Sequence, residues 1–230
     1  MLGTSGMKTT YISVPYTVTA LVPTKSRIRI VHNVANGPEV DGLLDGNLVL
    51  RKVGYKATSD YLEVSSGKHT ITVKISGTET MLIHGEINLE NDHTYTMIVH
   101  GAISNVSSIS SLILQDNLSC PQNNKAHVRF VHAAATVPAV DIYAGQTKVF
   151  SNVGYGQIGA PEYLPVASGP VELSVKVANT HNTVLGPFVM NLSNKGVYTI
   201  IASGLVNDSK SPIAALITED THGSCVILNL

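Results

Sequence analysis

What most restricts how this chain can fold is an internal echo. "SRIRIVHNVANGPEVDGLLDG" at residues 26–46 returns as "AHVRFVHAAATVPAVDIYAG" at residues 126–145. Arg29, Val31 and His32 meet Arg129, Val131 and His132, and Pro38, Val40 and Asp41 meet Pro138, Val140 and Asp141. The correspondence continues: "VGY" at 53–55 matches 153–155, Tyr61-Leu62 matches Tyr163-Leu164, and "SSG" at 65–67 matches "ASG" at 167–169. Late in each unit Tyr95-Thr96 corresponds to Tyr198-Thr199, Gly101 to Gly204 and Asp116 to Asp220. Matches that keep their order through about a hundred residues mark a tandem duplication. Each unit must therefore be a fold that works twice.

Each unit reads as short strands. "RIRIVH" and "HVRFVH" are rich in β-branched residues, which suit a pleated, half-buried surface. "HTITVKIS" and "VELSVKVA" alternate apolar and polar with a period of two. "YTMIVHG" and "YTIIASG" are more continuously apolar, as central strands are, and "SLILQD" and "AALITED" close the units. Turn formers separate them, among them Asn36-Gly37-Pro38, Asp45-Gly46, Ser66-Gly67, Asn91-Asp92 and Asn207-Asp208. No amphipathic helix is visible. About seven short strands per unit, with a turn roughly every ten residues, predict an all-β fold. It consists of two tandem Ig-like or prealbumin-like antiparallel β-sandwiches with an extra N-terminal strand. The expected divisions are an N-terminal extension at 1–25, a first sandwich at 26–118, a linker at 119–125, a second sandwich at 126–222 and a tail strand at 223–230.

"VRFVHAAATVPAVDIYAGQTKVFSNVGYG", followed by "YLPVASGPVELSV", resembles the family known as domain of unknown function 4397. The resemblance lies in the V-H-x-x-x-x-x-P-x-V-D-[VI]-Y opening, the later Y-L-x-[VL]-x-x-G turn and the final Y-T strand. It covers both units, about residues 26–118 and 126–222. The first unit departs from the pattern, with Gly42-Leu43 where the second has Ile142-Tyr143. The resemblance implies an extracytoplasmic or surface β-sandwich, often in tandem, with no established catalytic residues.

The obvious candidates for chemistry are the duplicated His32 and Asp41, and His132 and Asp141. Facing each other across a hairpin, such a pair would bind a metal or act as a base. Zinc needs three or four ligands, however, and only one or two stand in each unit. No Ser or Cys occupies a nucleophile elbow. The structural alternative has Asp bonding a turn and His satisfying a strand end, with Pro38 and Pro138 shaping the hairpin. Among the other histidines, His84 and His100 could approach on adjacent strands, but the second unit does not repeat them. Tyr55 and Tyr155 read as packing residues beside a glycine turn. No metal and no cofactor are implied.

Charge narrows the partners. Only 13% of residues are charged, against about 25% in ordinary soluble domains, and the formal net charge is −1. No basic stripe exists to neutralise phosphates, so nucleic acid is excluded as a partner. Weak self-repulsion favours association with copies, so a homo-oligomer or polymer is expected. No apolar run approaches the roughly 18 residues of a membrane span. The opening residues also lack a signal peptide's continuous apolar centre. Asn-X-Ser sequons begin at Asn105, Asn117, Asn191 and Asn207, a weak pointer to a secretory route.

Two features lie outside the echo. In "TYISVPYTVTALV" the residues Ile12, Val14, Tyr16 and Val18, then Ala20 and Val22, share one face. That makes a candidate assembly strand whose Pro15 suits an edge. The tail "CVILNL" is almost wholly apolar. Each tail either completes its own sandwich or adds to a neighbour's sheet edge. Cys120 and Cys225 follow the last strand of their units at matching positions and are disulfide candidates. A bond between them would close a loop of about 105 residues, worth up to about 4.7 kcal/mol in the chain-entropy account. Links between subunits and free thiols are the alternatives. The expectation that emerges is a non-enzymatic structural protein of an extracellular or surface assembly: a fibre, filament, surface layer or virion exterior. The alternative is an adhesion module that binds a glycan or protein through sandwich loops.

Overall fold

A computed structural model describes residues 24–116 and 120–220 of the chain. Within them are seventeen strands and no helix. The first repeat holds β1 (Lys25–Ala35), β2 (Val40–Leu44), β3 (Asn47–Val53), β4 (Leu62–Ser65), β5 (Gly67–Ile75), β6 (Met81–Leu89), β7 (Thr94–Ala102) and β8 (Asn105–Gln115). The second holds β9 (Lys125–His132), β10 (Val140–Ala144), β11 (Thr147–Val153), β12 (Gln157–Ile158), β13 (Leu164–Ala167), β14 (Gly169–Val177), β15 (Thr183–Leu192), β16 (Val197–Ser203) and β17 (Ala214–Glu219). The chain is all-β, built from sandwich-like pairs of sheets. In the first repeat the order β4-β1-β7-β8 makes one sheet and β3-β2-β5-β6 the other. In the second they are β12-β9-β16-β17, with β13 also on β9, and β11-β10-β14-β15. The candidate strand with Ile12, Val14, Tyr16 and Val18 lies outside the described residues, as do Cys225 and the 223–230 tail.

Most pairings are antiparallel, but one pair in each repeat is parallel: β1 with β7, and β9 with β16. These are the strands most thoroughly removed from water. All nine residues of β7 and all seven of β16 are buried. Parallel strands typically occupy such doubly covered positions, which is why "YTMIVHG" is continuously apolar where its neighbours alternate. Inside the first repeat Ile28, Ile30, Val73, Leu89 and Met97 form the core; inside the second Phe130, Ile142, Phe150, Val175 and Ile200 do so.

The second face of the β1 and β9 sheets is also covered. Val31, Ile98 and Leu114 of the first repeat pack with Val131, Ala133 and Ile201 of the second. The β1 sheet and the β9 sheet therefore meet back to back at a seam, each with its outer sheet beyond it. One duplicated glycine is fixed by the close approach of β7 and β8 within their own sheet. Gly101 has φ +135, and a Cβ there would lie 2.8 Å from the Ile109 Cα on β8. A side chain would force β7 and β8 apart.

Candidate functional site at the seam between the repeats

The histidine, proline and aspartate of the echo do not converge. The buried His32 ring donates from Nε2 to the Pro38 carbonyl at 2.8 Å, while the Val34 N–H donates to its Nδ1 at 3.3 Å. His132 does the same with Pro138 at 2.9 Å and Ala134 at 3.4 Å. Both nitrogens are satisfied by a neutral ring, and burial lowers the pKa of both histidines. Asp41 and Asp141 serve a different turn. Asp41 Oδ1 accepts from the Lys52 N–H at 2.9 Å and the Ser76 hydroxyl at 3.0 Å. Asp141 accepts from the Asn152 N–H at 2.8 Å, the Asn179 N–H at 3.3 Å and the Lys148 ammonium at 2.6 Å. Lys52 and Asn152 sit at φ 51 and 52, where the β2–β3 and β10–β11 registers shift. The aspartate thus holds a bulge, and no His–Asp pair faces a common site.

Another duplicated set does come together, across the seam. Arg29 donates from Nε to its own repeat's Thr96 hydroxyl at 2.9 Å, then sends its fork into the other repeat. There Nη1 reaches the Glu219 carbonyl at 2.9 Å and Nη2 pairs with the Asp220 carboxylate. Arg129 mirrors it: Nε to Thr199 at 3.0 Å, Nη1 to the Gln115 carbonyl at 2.9 Å, and Nη2 to Asp116 at 2.7 Å. Each aspartate is also held within its own repeat. Asp116 accepts from Thr96 and from the Tyr61 hydroxyl at 2.7 Å, and Asp220 accepts from Thr199 and Tyr163, both at 2.7 Å. The tyrosine rings flank the guanidiniums, with Arg29 4.5 Å from the Tyr61 centroid and Arg129 4.6 Å from that of Tyr163. The result is a buried, charge-balanced quartet related by a pseudo-two-fold. Side-chain exposures are 5% for Arg29 and 0% for Arg129, Asp116 and Asp220, so the ions are paired and out of water.

The electrostatics fit a structural role. Burial raises the Asp116 pKa and the nearby Asp220 adds to it, against the pull of Arg129. Burial works against charge on Arg129, but Tyr163, Asp220 and Asp116 together outweigh it and its pKa rises. Burial also pushes the Tyr61 and Tyr163 hydroxyls upward, with the adjacent aspartates adding to the effect. Every guanidinium and carboxylate in the quartet already has partners. No buried side-chain polar atom among the described residues is without one.

The other end of the seam repeats the reciprocity with altered chemistry. The Tyr55 hydroxyl meets Ser203 of the second repeat at 3.1 Å, and the Tyr155 hydroxyl meets His100 Nδ1 of the first at 2.9 Å. Asn33 donates to the Ala133 carbonyl at 3.3 Å and accepts from the Ser203 hydroxyl. His100 and Ser203 are thus counterparts, each receiving the other repeat's tyrosine. Burial, with a smaller contribution from His132, lowers the His100 pKa to about 4. His84 is not its neighbour, because β6 and β7 belong to different sheets. The two tyrosines read as packing residues are inter-repeat hydrogen-bonding groups as well.

One arrangement superficially resembles a hydrolytic triad. His69 Nδ1 lies 2.7 Å from Asp45, and its Nε2 lies 3.4 Å from the Ser65 hydroxyl but only 2.8 Å from the Ser65 carbonyl. With an acceptor at each nitrogen the ring favours the doubly protonated form, and the hydrogen bond it donates to Asp45 chiefly raises its pKa. A ring so held cannot take a proton from serine. Val171 and Gly145 stand at the matching places in the second repeat. No three His, Cys, Asp or Glu residues are grouped to hold a metal among the described residues. Nor is any described helix long and apolar enough to cross a membrane. The gap inside the second core, lined by Phe130, Phe150, Leu173 and Met190, is apolar and measures about 20 Å³, space for about one water and for no larger ligand. A depression of about 560 Å³ between Val184 and the 205–213 loop lies open to solvent. Cys120 is disulfide-bonded.

Among solved structures, the Bacillus anthracis TIE protein is similar over 79% of this chain, at 11% identity and a TM-score of 0.25. A leucine-rich repeat protein from Bacteroides thetaiotaomicron is similar over 83%, at 9% identity and a TM-score of 0.20. This chain spans 33% of the first protein and 27% of the second. No curated protein matches it. The domain of unknown function DUF4397 matches residues 26–143 and 126–225. The chain belongs to the DUF4397 family and carries its domain in tandem.

Proposed function

We propose that this chain is a non-catalytic structural subunit of an extracellular or surface assembly. The observation that carries the reading is the reciprocal seam. The duplicated Arg29 and Arg129, Asp116 and Asp220, Thr96 and Thr199, and Tyr61 and Tyr163 are engaged in one network that fastens the repeats into one body, and none is aimed at an enclosed polar cavity. A stiff two-repeat block suits a building element. Its low charge weakens the repulsion that would keep copies apart. A disulfide at Cys120 supports an oxidising compartment outside the cytosol. The test is light scattering behind size exclusion, with electron microscopy of the full chain at rising concentration. Ordered multimers are expected, and a chain that stays monomeric at every concentration would refute the proposal.

A second reading rests on the 205–213 loop. The second repeat inserts it where the first has a tight turn between β7 and β8, which leaves the open depression beside Val184 and the exposed Val206. A glycan or protein would be recognised there. Glycan-array and pulldown signals that disappear when the loop is shortened would favour this reading over the first.

A further inference from the structure

We propose that the edge of β8 receives residues 12–22 of a second copy as an added strand, so that each chain both gives and accepts. The inference rests on the assembly reading and names the contact that would build it. Among the described edge strands β8 is the longest, with eleven residues, "NVSSISSLILQ", and it contains neither a charge nor a proline. Every other edge strand of four residues or more carries one or the other. Glu63 stands in β4, Arg51 and Lys52 in β3, Glu86 in β6, Lys148 in β11, Pro165 in β13, Pro187 in β15 and Glu219 in β17. Charges and prolines are the means by which natural sheets refuse further strands, and β8 lacks both. Its outward peptide groups form a ready template.

The side chains point the same way. Ile113 pairs with the core residue Met97 and so faces the sandwich interior, yet it remains 41% exposed. The sandwich is open at that side, and one more strand laid on β8 would close it. Residues 12–22 match the requirement. They number eleven, like β8, and place Ile12, Val14, Tyr16, Val18, Ala20 and Val22 on one apolar face. Pro15 fits a strand that becomes the new edge, since its missing N–H would face solvent and stop further growth.

A chain is poorly placed to supply this strand to itself. The Ser66 N–H donates to the Thr24 carbonyl at 3.0 Å, which pins the start of β1 on its β4 side. From there β8 lies two strands away, about 10 Å across the sheet. Only Pro23 separates Thr24 from the segment, and one residue spans at most about 3.6 Å. A neighbour meets no such limit. Giving and accepting through different surfaces generates an open-ended series of copies.

The experiment uses two full-length single variants, Thr17→Cys and Ser110→Cys, each at the middle of its segment so that strand direction does not matter. They are mixed and treated with a short bis-maleimide, and the joined peptides are identified by mass spectrometry. A 17–110 link between copies is the expected result, with the linked yield falling at least tenfold when Val106→Lys puts a charge on the accepting strand. A double variant that links within one monomer would overturn the proposal in favour of self-completion. Ordered multimers without a 17–110 link would overturn it while leaving the assembly reading intact, and a strictly monomeric chain would overturn both.

Discussion

Replacing Asp116 by alanine tests the seam at its most demanding point. The carboxylate accepts from Arg129 at 2.7 Å, Thr96 at 2.8 Å and Tyr61 at 2.7 Å, so one substitution strands partners on both sides of the interface. Thr96 keeps its bond from Arg29 and stays within reach of the Tyr61 hydroxyl, but half the Arg129 fork does not recover. The nearest substitutes for Arg129 are Asp220 at 3.4 Å, already engaged with Arg29, and Glu162 at 3.1 Å, whose side chain is 52% exposed. Neither neutralises a fully buried guanidinium as Asp116 does. Removing one partner of such a pair costs about 3–5 kcal/mol. At about 2–4 °C per kcal/mol for a chain of this size, Tm should fall by roughly 6–20 °C. The chain has no tryptophan, so unfolding is best followed by circular dichroism. The decisive control is Arg129→Met with Asp116→Leu, which removes both charges together. It should cost clearly less than the sum of its single variants, with a coupling of about 1–3 kcal/mol. A D116A loss below about 1 kcal/mol, or strict additivity in the double variant, would refute the claim that these ions hold the seam.

Three further outcomes are expected. His32, His100 and His132 all have pKa values lowered by burial, so the unfolded chain binds protons more readily than the folded one. Their contribution is complete above about pH 6.5 and is lost as pH falls toward 4. His127, also lowered by burial, adds to them, and the large depression of His100 to about 4 sets the sense, while His69 and Asp116, both raised, act in the opposite direction. Urea midpoints should therefore be lower at pH 5 than at pH 7, and His100→Gln should narrow the gap; equal midpoints would contradict this. Asp141→Ala should cost about 1–3 kcal/mol by leaving the Asn152 and Asn179 amides without their acceptor, read as a lowered denaturant midpoint. Lys52→Asn should raise Tm by a few degrees, because Lys52 holds φ 51 with a long side chain where its counterpart Asn152 holds φ 52. Relief of left-handed strain is worth at most about 1 kcal/mol here.

The fold was legible because period-two patterning and turn chemistry act locally. "HTITVKIS" falls within β5 and its following turn, "VELSVKVA" does the same at β14, and Gly67 and Gly169, at φ 118 and 116, open those strands after tight turns. Parallel pairing of β1 with β7 was not legible, because local pattern tells which residues share a face but not which distant strand lies alongside. The histidine and aspartate of the echo stood out for their chemistry, yet their bonds run to backbone groups: a Pro carbonyl and a bulge amide. A sequence does not display such partners.

The seam was hidden for a related reason. In "RIRIVH" the alternation assigns Ile28 and Ile30 to a core and leaves Arg29 on the far side, where solvent is the natural expectation. That side is covered by the second repeat, and the signal was available only in combination. Arg29, Thr96 and Asp116 all recur as Arg129, Thr199 and Asp220 in a chain otherwise poor in charge. Their placement has a physical logic. Two guanidiniums brought together at a two-fold would repel unless a carboxylate lay between them. Each arginine is tied by Nε to its own threonine and by its fork to the opposite aspartate, so positive and negative groups alternate around the quartet. A slip of one repeat along the other would set like charges side by side in a dry interface. The quartet is therefore expected to hold the register of the repeats more firmly than the apolar cluster of Val31, Ile98, Val131 and Ile201 alone, because paired charges tolerate sliding less than apolar side chains do.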